Sequence, residues 1–230
     1  SITGWVDAAR VRAEIEAVVD DIKQGMLKLP ILPEVALKVR EAVSDPEAAA
    51  AKVAKAIASD AAIAARLLQV ANSPLYRGAN KIESVQNAVA RLGPPQVRSL
   101  VMSLVMKQLY STSVPALKER MVKLWEHSTH VAAICHVLAK RFTRLKPDEA
   151  MLAGLIHDIG ALPILVKAEQ YKELLEDTQA LDDVIDKLHA SVGRLILEAW
   201  RLPPELVEAA AEHENLTRDS RELDITDVVV

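Results

Sequence analysis

The feature that most constrains the fold of this chain is an almost unbroken succession of segments with helical period, separated by short breaks. Apolar residues recur every three or four positions, and no alternation typical of a strand continues beyond four residues. Capping residues and prolines mark the breaks, as at Ser59-Asp60, Ser84 and Gly93-Pro94-Pro95. Only 7 of the 230 residues are glycine, which disfavours a fold rich in tight β-turns. The sequence therefore predicts an all-α protein, built as an irregular helical bundle.

The helical segments fall into candidate sub-domains. Residues 1–26 are predicted to form a charged lead helix or linker, and residues 27–230 to form one domain. A break at Ser111 to Pro115 divides that domain into sub-domains 27–112 and 113–230. Because the chain stops within the apolar run 228–230, we expect it to be a piece of a longer protein.

Composition restricts the compartment and the partners. The single cysteine, Cys135, excludes an intrachain disulfide framework and favours a reducing cytoplasm. No apolar run approaching the roughly 20 residues of a membrane span is evident, and no secretory signal opens the chain. The net charge of −4 disfavours nucleic-acid binding, which needs a basic surface. We therefore expect a cytoplasmic protein that acts without a membrane or a nucleic acid.

The most informative short motif is His157-Asp158-Ile159-Gly160, because an adjacent imidazole and carboxylate can both bind one metal ion. His127 lies near the centre of the apolar stripe of a long helix predicted at about 116–143, so it is expected to point inward. The residues of that stripe are Leu124, Val131, Ile134, Leu138 and Phe142. An inward histidine needs a polar partner, and for a single one a hydrogen bond to a buried carbonyl is the ordinary alternative to a metal.

Other histidines are spread over several predicted helices. His189 is followed one helical turn later by Gly193, which favours close helix packing beside the ring, and His213 lies between two glutamates. Either one can equally be polar surface or a buried hydrogen-bonding group. His130 and His136 are expected at the surface or at its boundary.

Taken together, four segments of the second half resemble the HD superfamily of metal-dependent phosphohydrolases. They are His127-Ser128-x-x-Val131-Ala132, His157-Asp158-Ile159-Gly160, His189-x-x-x-Gly193, and Leu202-Pro203-Pro204-Glu205 leading to His213-Glu214. The resemblance implies that His127, His157 and Asp158 hold a divalent metal such as iron, manganese or magnesium. It further implies that His189 and His213 lie where the HD-GYP branch, which hydrolyses cyclic di-GMP, has additional ligands.

The first half resembles the HDOD family, a branch related to these enzymes. The matching segments are Leu29-Pro30-x-Leu32-Pro33, Ser59-Asp60, Ala71-Asn72-Ser73-x-x-Tyr76 and Ile82-x-Ser84-x-x-x-Ala88-x-x-Leu92-Gly93. Members of this family resemble HD enzymes in fold but commonly lack a complete metal site. They act as output modules beside receiver or other signalling domains.

Two departures from the enzyme pattern bear on catalysis. Ala161 stands where HD-GYP enzymes carry a lysine, and no final aspartate ligand can be assigned. Asp227 is a candidate for that ligand, but the register places the position just past Val230. The resemblance therefore favours a non-catalytic bacterial signalling domain, the output of a response regulator or similar protein, that binds a protein partner or a nucleotide. The alternative is a metal-dependent phosphohydrolase acting on a cyclic dinucleotide or another phosphate ester.

Overall fold

The computed structural model describes most of the chain as helix. Described are residues 29–43, 49–74, 76, 78 and 80–230, together with residues 10, 13–14, 16–17, 20–21 and 24–26. Within these residues no strand occurs, and the predicted all-α class is confirmed. The chain divides into two compact units, one formed by Ile31–Leu109 and the other by Tyr110–Val230 with the N-terminal residues up to Pro30.

The first unit is a helical bundle whose helix ends are marked by local capping. Its helices are α1 (Glu34–Val43), α2 (Ala49–Ala58), α3 (Ala61–Ala71), α4 (Val85–Leu92) and α5 (Pro94–Leu109). The Asp60 carboxylate accepts two backbone N–H bonds at the start of α3, and the Ser84 hydroxyl accepts one from Asn87 at the start of α4. Gly93 ends α4 with a φ of +81°, a conformation that favours glycine.

Asn72 ends α3 and also makes side-chain hydrogen bonds to the backbone of two other residues of this unit. Its side-chain amide donates to the carbonyl oxygens of Leu68 and Ile82, each at 2.8 Å, and its side-chain oxygen accepts from the Ile82 amide at 2.8 Å. Asn72 therefore joins the backbone at Ile82 to the end of α3.

The second unit contains the longest helix and the predicted metal ligands. Its helices are α6 (Pro115–Phe142), α7 (Pro147–Ile156), α8 (Ala161–Ala168), α9 (Lys172–Glu176), α10 (Thr178–Ala199), α11 (Pro204–Glu212) and α12 (Thr226–Val229). Proline occupies the first turn of α6, α7 and α11. A proline there loses no hydrogen bond, and its fixed φ is already helical.

The buried face of α6 differs from the predicted apolar stripe. Ile134, Leu138 and Phe142 are 57%, 37% and 76% exposed. The residues buried instead are Leu117, Met121, Ser128, Ala132, Cys135 and Ala139. A Cβ atom added at Gly154 of α7 would lie 2.8 Å from Cys135 Sγ and 3.0 Å from Ala132 Cα. The two helices approach so closely that small residues fill their contact, and the larger ones are left outside it.

Helices α7 and α8 form the apolar centre of this unit. By length and composition the stretch Pro147–Ala168 is apolar enough to cross a membrane. An 18-residue window of it has a mean hydropathy of 1.5, but 78% of that window is buried inside the protein. The sequence expectation that no such run exists is therefore wrong. Burial on this scale is typical of a core segment, and the turn 157–160 interrupts the stretch.

The described N-terminal residues belong to the same unit. Polar contacts join them to α8 and α9, namely Arg10 with Glu173 (2.8 Å), Glu14 with the Leu174 amide (2.8 Å) and Asp21 with Lys167 (2.6 Å). The segment that the sequence marks as a lead helix or linker thus contacts the helix that follows the His157-Asp158 turn.

Candidate metal centre

The turn between α7 and α8 carries His157 and Asp158 into the middle of the second unit. Ile159 is fully buried and anchors the turn. A Cβ atom on Gly160 would overlap the backbone of His189 and approach the Gly193 nitrogen, so only glycine fits there. The tight approach expected beside His189 thus exists, but Gly160 is the residue that permits it, since a Cβ on Gly193 would meet only ordinary contacts.

Three buried histidines are oriented in the same way. In each ring Nδ1 donates a hydrogen bond to a backbone carbonyl one turn earlier on its own segment. The bonds join His157 to Gly154 (2.7 Å), His189 to Ile185 (2.7 Å) and His213 to Ala210 (3.0 Å). A carbonyl only accepts, so the proton resides on Nδ1 and the neutral ring presents a bare Nε2 lone pair. Metal-binding histidines in proteins are held in this manner.

The carboxylate of Asp158 lies between two pairs of histidines. Its Oδ2 is 3.2 Å from His157 Nε2 and 3.3 Å from His127 Nε2. Its Oδ1 is 3.2 Å from His213 Nε2 and 3.5 Å from His189 Nε2. Within the pairs, the Nε2 atoms are 3.1 Å apart for His127 and His157, and 2.9 Å apart for His189 and His213. Asp158 is therefore shared by two groups of three potential ligands.

The spacing within each group fits a metal ion. Two ligands that each lie about 2.0–2.2 Å from one ion are about 2.8–3.6 Å apart in tetrahedral or octahedral geometry. All six distances, from 2.9 to 3.5 Å, fall within this range. The five residues can thus hold one or two divalent ions, with Asp158 shared between them.

The five predicted metal ligands lie close together in the structure. All five converge, but the side chain of His127 is 54% exposed, so the prediction that it points inward is wrong. It reaches the site from the rim, because small residues occupy the buried face of α6. His130 is exposed, and His136 lies 3.9 Å from Asp148, outside both groups.

Asp227 takes no part in the cluster. Its carboxylate accepts hydrogen bonds from Arg218, from the Ser220 hydroxyl at 2.6 Å and from the Asp224 amide at 2.9 Å. These contacts hold α12 to the segment that follows α11. Asp227 belongs to neither group of potential ligands.

Asp158 and His213 influence each other's ionisation. Burial opposes the charged form of Asp158, but the contacts of its carboxylate with His157 and His213 outweigh it and hold the carboxyl pKa well below its usual range. Burial likewise opposes the charged form of His213, and its contact with Asp158 outweighs that, so the pKa of His213 is raised. The negative centre of the cluster therefore attracts a cation, whether a proton or a metal ion.

A cleft of about 610 Å³ opens beside His127 and Asp158. It is lined by Ala116, Glu119, Arg120, Lys123, Leu124, His127, Asp158, Ala161, Leu165, Thr178, Asp182 and Ile185. Both of its cations are already paired, Arg120 with Asp182 and Lys123 with Glu119. Sequence reasoning missed these cations. Their signal was their position four and seven residues before His127, which puts them on the same side of one helix.

The comparisons with known proteins place the chain among similar sequences. A family model described as the HDOD domain matches residues 29–216. An uncharacterized protein of Treponema pallidum is 24% identical over 224 residues, which cover 90% of this chain and 40% of that protein. Another of Bacillus subtilis, YuxH, is 27% identical over 133 residues, 58% of this chain and 31% of that protein. The chain spans less than half the length of these curated relatives.

Solved structures share the fold. A protein of Shewanella amazonensis, provisionally named a metal-dependent phosphohydrolase, matches with a TM-score of 0.83 and 32% identity over 96% of this chain and 81% of that one. An HDOD domain protein of unknown function from Geobacter sulfurreducens matches with a TM-score of 0.73 and 25% identity, over 95% and 76%. The predicted HD-phosphohydrolase-like helical fold is confirmed.

Proposed function

We propose a function from the premise that this chain belongs to the HDOD domain family, whose model matches it over residues 29–216. The chain is a bacterial signalling domain that binds divalent metal at the Asp158 cluster. It acts by binding a protein partner or a nucleotide and does not turn over a phosphate ester. Its single buried cysteine and its negative net charge support a cytoplasmic domain that binds no nucleic acid.

One observation carries the proposal: the Nε2 atoms of three buried histidines converge on the Asp158 carboxylate with their Nδ1 atoms tied to carbonyls. In neutral rings, bare lone pairs then face each other, as between His189 and His213 at 2.9 Å. Such an arrangement is unfavourable unless a cation lies among the lone pairs. A divalent metal ion among the lone pairs meets this need without a second proton on any ring.

The ligands divide into two positions that share Asp158. His127 and His157 would hold one ion together with the Oδ2 atom of Asp158. His189 and His213 would hold the other ion together with the Oδ1 atom of Asp158. Four imidazoles with one carboxylate favour iron over magnesium, which prefers oxygen ligands. When bound, such an ion polarises phosphoryl oxygens and lowers the pKa of a bound water.

The cluster also links distant parts of the unit. His127 belongs to α6, His157 and Asp158 to the turn after α7, and His189 to α10, while His213 follows α11. Bringing these segments to common ions couples metal occupancy to their arrangement, since ligand binding to the native state stabilises it. We infer that the ions serve as a structural or regulatory element of the signalling domain.

The cleft argues for regulation over catalysis. A phosphate group entering it would meet Arg120 and Lys123 in ion pairs with Asp182 and Glu119 and would compete with these carboxylates. Ala161, which lines the same cleft, adds no charge. Stabilising the developing charge of a phosphoryl transfer normally requires a cation aimed at it.

A metal-dependent phosphohydrolase is the second candidate. It is favoured by the cleft beside His127 and Asp158 and by the 32% identity to the Shewanella amazonensis protein that is provisionally named one. In that case Arg120 or Lys123 would have to exchange its carboxylate partner for the phosphate of the substrate.

An activity assay separates the two candidates. The full chain is incubated with manganese, iron or magnesium and either cyclic di-GMP or a chromogenic phosphodiester, beside His157→Ala and Asp158→Ala. We expect no metal-dependent turnover by any of the three proteins. Metal should stabilise the wild type most, His157→Ala less, because it keeps the position of His189 and His213, and Asp158→Ala least, because it loses the shared carboxylate. Turnover by the wild type that both substitutions abolish would establish the hydrolase and overturn the regulatory proposal.

A further inference from the structure

Glu214 lies at the solvent side of the position formed by Asp158, His189 and His213. Its Oε1 atom is 3.7 Å from His213 Nε2 and 3.8 Å from His189 Nε2. Its side chain is 70% exposed, whereas those of His189 and His213 are 5% and 6% exposed. Glu214 directly follows His213 in the chain, so the segment that positions this ring also positions the carboxylate.

We propose that Glu214 is a fourth protein ligand of the metal ion held by Asp158, His189 and His213, and that it closes this position toward solvent. The inference rests on the proposed metal binding and assigns the second position its missing ligand.

Coordination number supports this role. Asp158, His189 and His213 supply three ligands, whereas a closed transition-metal site has at least four. Two ligands of one ion are about 2.8–3.6 Å apart. The distances of 3.7 and 3.8 Å from Glu214 Oε1 to the Nε2 atoms of His213 and His189 are slightly longer than this. A shift of a few tenths of an ångström brings the carboxylate in, and an exposed side chain is free to make it.

The charge of the site also supports Glu214 as a ligand. Two divalent ions that share one carboxylate would stand about 3.5–4 Å apart, as in other two-metal sites. Among the five converging residues Asp158 is the one with a negative charge, and it cannot offset the repulsion of two dications by itself. A second carboxylate at Glu214 lowers this excess of positive charge.

Glu214 is also available for the role. Among the described residues, the ion pairs of its carboxylate are those with His189 and His213. Glu212, two residues earlier, is instead occupied by the Asn215 amide at 3.2 Å and by Arg194 at 3.7 Å. It therefore provides a matched control of the same type on the same segment.

The test is calorimetric titration of the metal-free full chain with Mn²⁺, comparing wild type, Glu214→Gln and Glu212→Gln. We expect two ions per wild-type chain, and at least about tenfold weaker binding of one of them in Glu214→Gln, since even the partners of metal ligands are worth about 10–100-fold in affinity. Glu212→Gln should bind as the wild type does. Equal thermal midpoints of the three metal-free proteins would verify that the exposed substitutions leave the fold intact.

The outcomes separate this inference from the function on which it rests. If the wild type binds two ions and Glu214→Gln binds both with unchanged affinity, Glu214 is not a ligand, while metal binding by the cluster stands. If the wild type binds one ion that only His127→Ala weakens, the second position is absent and the inference is wrong. If the wild type binds no Mn²⁺, both the inference and the proposed metal function fail.

Discussion

The backbone of Gly160 lies directly against the backbone of His189, with no room for a Cβ atom between them. This contact joins the turn that carries Asp158 to the helix that carries His189. It therefore fixes the distance between the shared carboxylate and one of its histidines. The geometry of the five candidate ligands therefore depends on this approach of two backbones.

Substituting Gly160 tests this dependence. In Gly160→Ala the new methyl group would overlap the His189 carbonyl oxygen, and the backbone must shift. We expect a loss of about 2–3 kcal/mol or more in the free energy of unfolding, together with weaker metal binding. In Gly193→Ala the methyl group would meet its nearest neighbours at 3.6–3.7 Å. This variant should be neutral or up to about 1 kcal/mol more stable, because alanine favours helix. Equal effects in urea unfolding would refute the packing argument.

The hydrogen bonds of Asn72 to Leu68 and Ile82 predict that substituting Asn72 strongly lowers the stability of the first unit. Asn72→Ala removes three hydrogen bonds and leaves both backbone groups of the buried Ile82 without their partner. We expect a loss of about 2–3 kcal/mol in the free energy of unfolding, since each unsatisfied buried group costs about 1–3 kcal/mol. Asn87→Ala, an exposed site on α4, should change it by less than about 0.5 kcal/mol. Similar losses in the two variants would show that Asn72 is only a helix cap.

Cys135 should be nearly inert in the folded protein. It is 1% exposed, and burial raises the pKa of its thiol to about 11. Because only the thiolate reacts, labelling by a disulfide reagent at pH 8 should be about 100-fold or more slower than in the urea-unfolded chain. Rapid labelling of the native protein would mean that the contact between α6 and α7 opens readily.

The cluster predicts a characteristic pH dependence of stability in the presence of a chelator. Because the pKa of His213 is raised in the folded protein, protonation of this ring stabilises the fold. The contribution is complete below about pH 6.5, the pKa of histidine in an unfolded chain, and it is lost as the pH rises through the folded pKa. The lowered pKa of Asp158 stabilises the fold above about pH 3.9 and is lost as the pH falls through the folded pKa. The metal-free protein should therefore be most stable between these limits.

With saturating metal the trend above pH 6.5 should reverse, because the metal needs deprotonated histidines. Thermal midpoints measured at several pH values, with chelator and with Mn²⁺, give both curves. Asp158→Asn should flatten the chelator curve above pH 6. A chelator curve that rises from pH 6 to 8 in the wild type would contradict the coupling of Asp158 and His213.

Helix order and helix starts were predictable because their determinants are local. The caps at Asp60 and Ser84 are hydrogen bonds to backbone groups two or three residues away, so the sequence itself contains both partners. The site residues were identified through the spacing of a known pattern. The contact of Asp158 with two pairs of histidines results from the packing of α6, α7, α10 and α11. Hydrophobic periodicity contains no information about this packing.

The face of α6 was mispredicted for a physical reason. Periodicity assigns the largest apolar residues to the core, as for Ile134 and Phe142. The face that is buried depends on how closely the partner helix approaches, and Gly154 of α7 allows an approach that only small residues such as Ala132 and Cys135 can fill. The hydrogen bonds of Asn72 to Ile82 and the pairing of Arg120 with Asp182 were missed because these partners are 10 and 62 residues apart in the sequence, and periodicity reports no such contacts.

The central claim, that the cluster around Asp158 binds divalent metal, is tested most directly by the metal content of the full chain purified without chelator. Elemental analysis of the wild type is compared with Asp158→Asn and with Asp183→Asn, an exposed control on α10. We predict about one to two equivalents of a transition metal in the wild type and in Asp183→Asn, and a loss of most of it in Asp158→Asn. A wild-type protein that is folded but free of metal, and that takes up none when manganese, iron or zinc is added, would contradict the account.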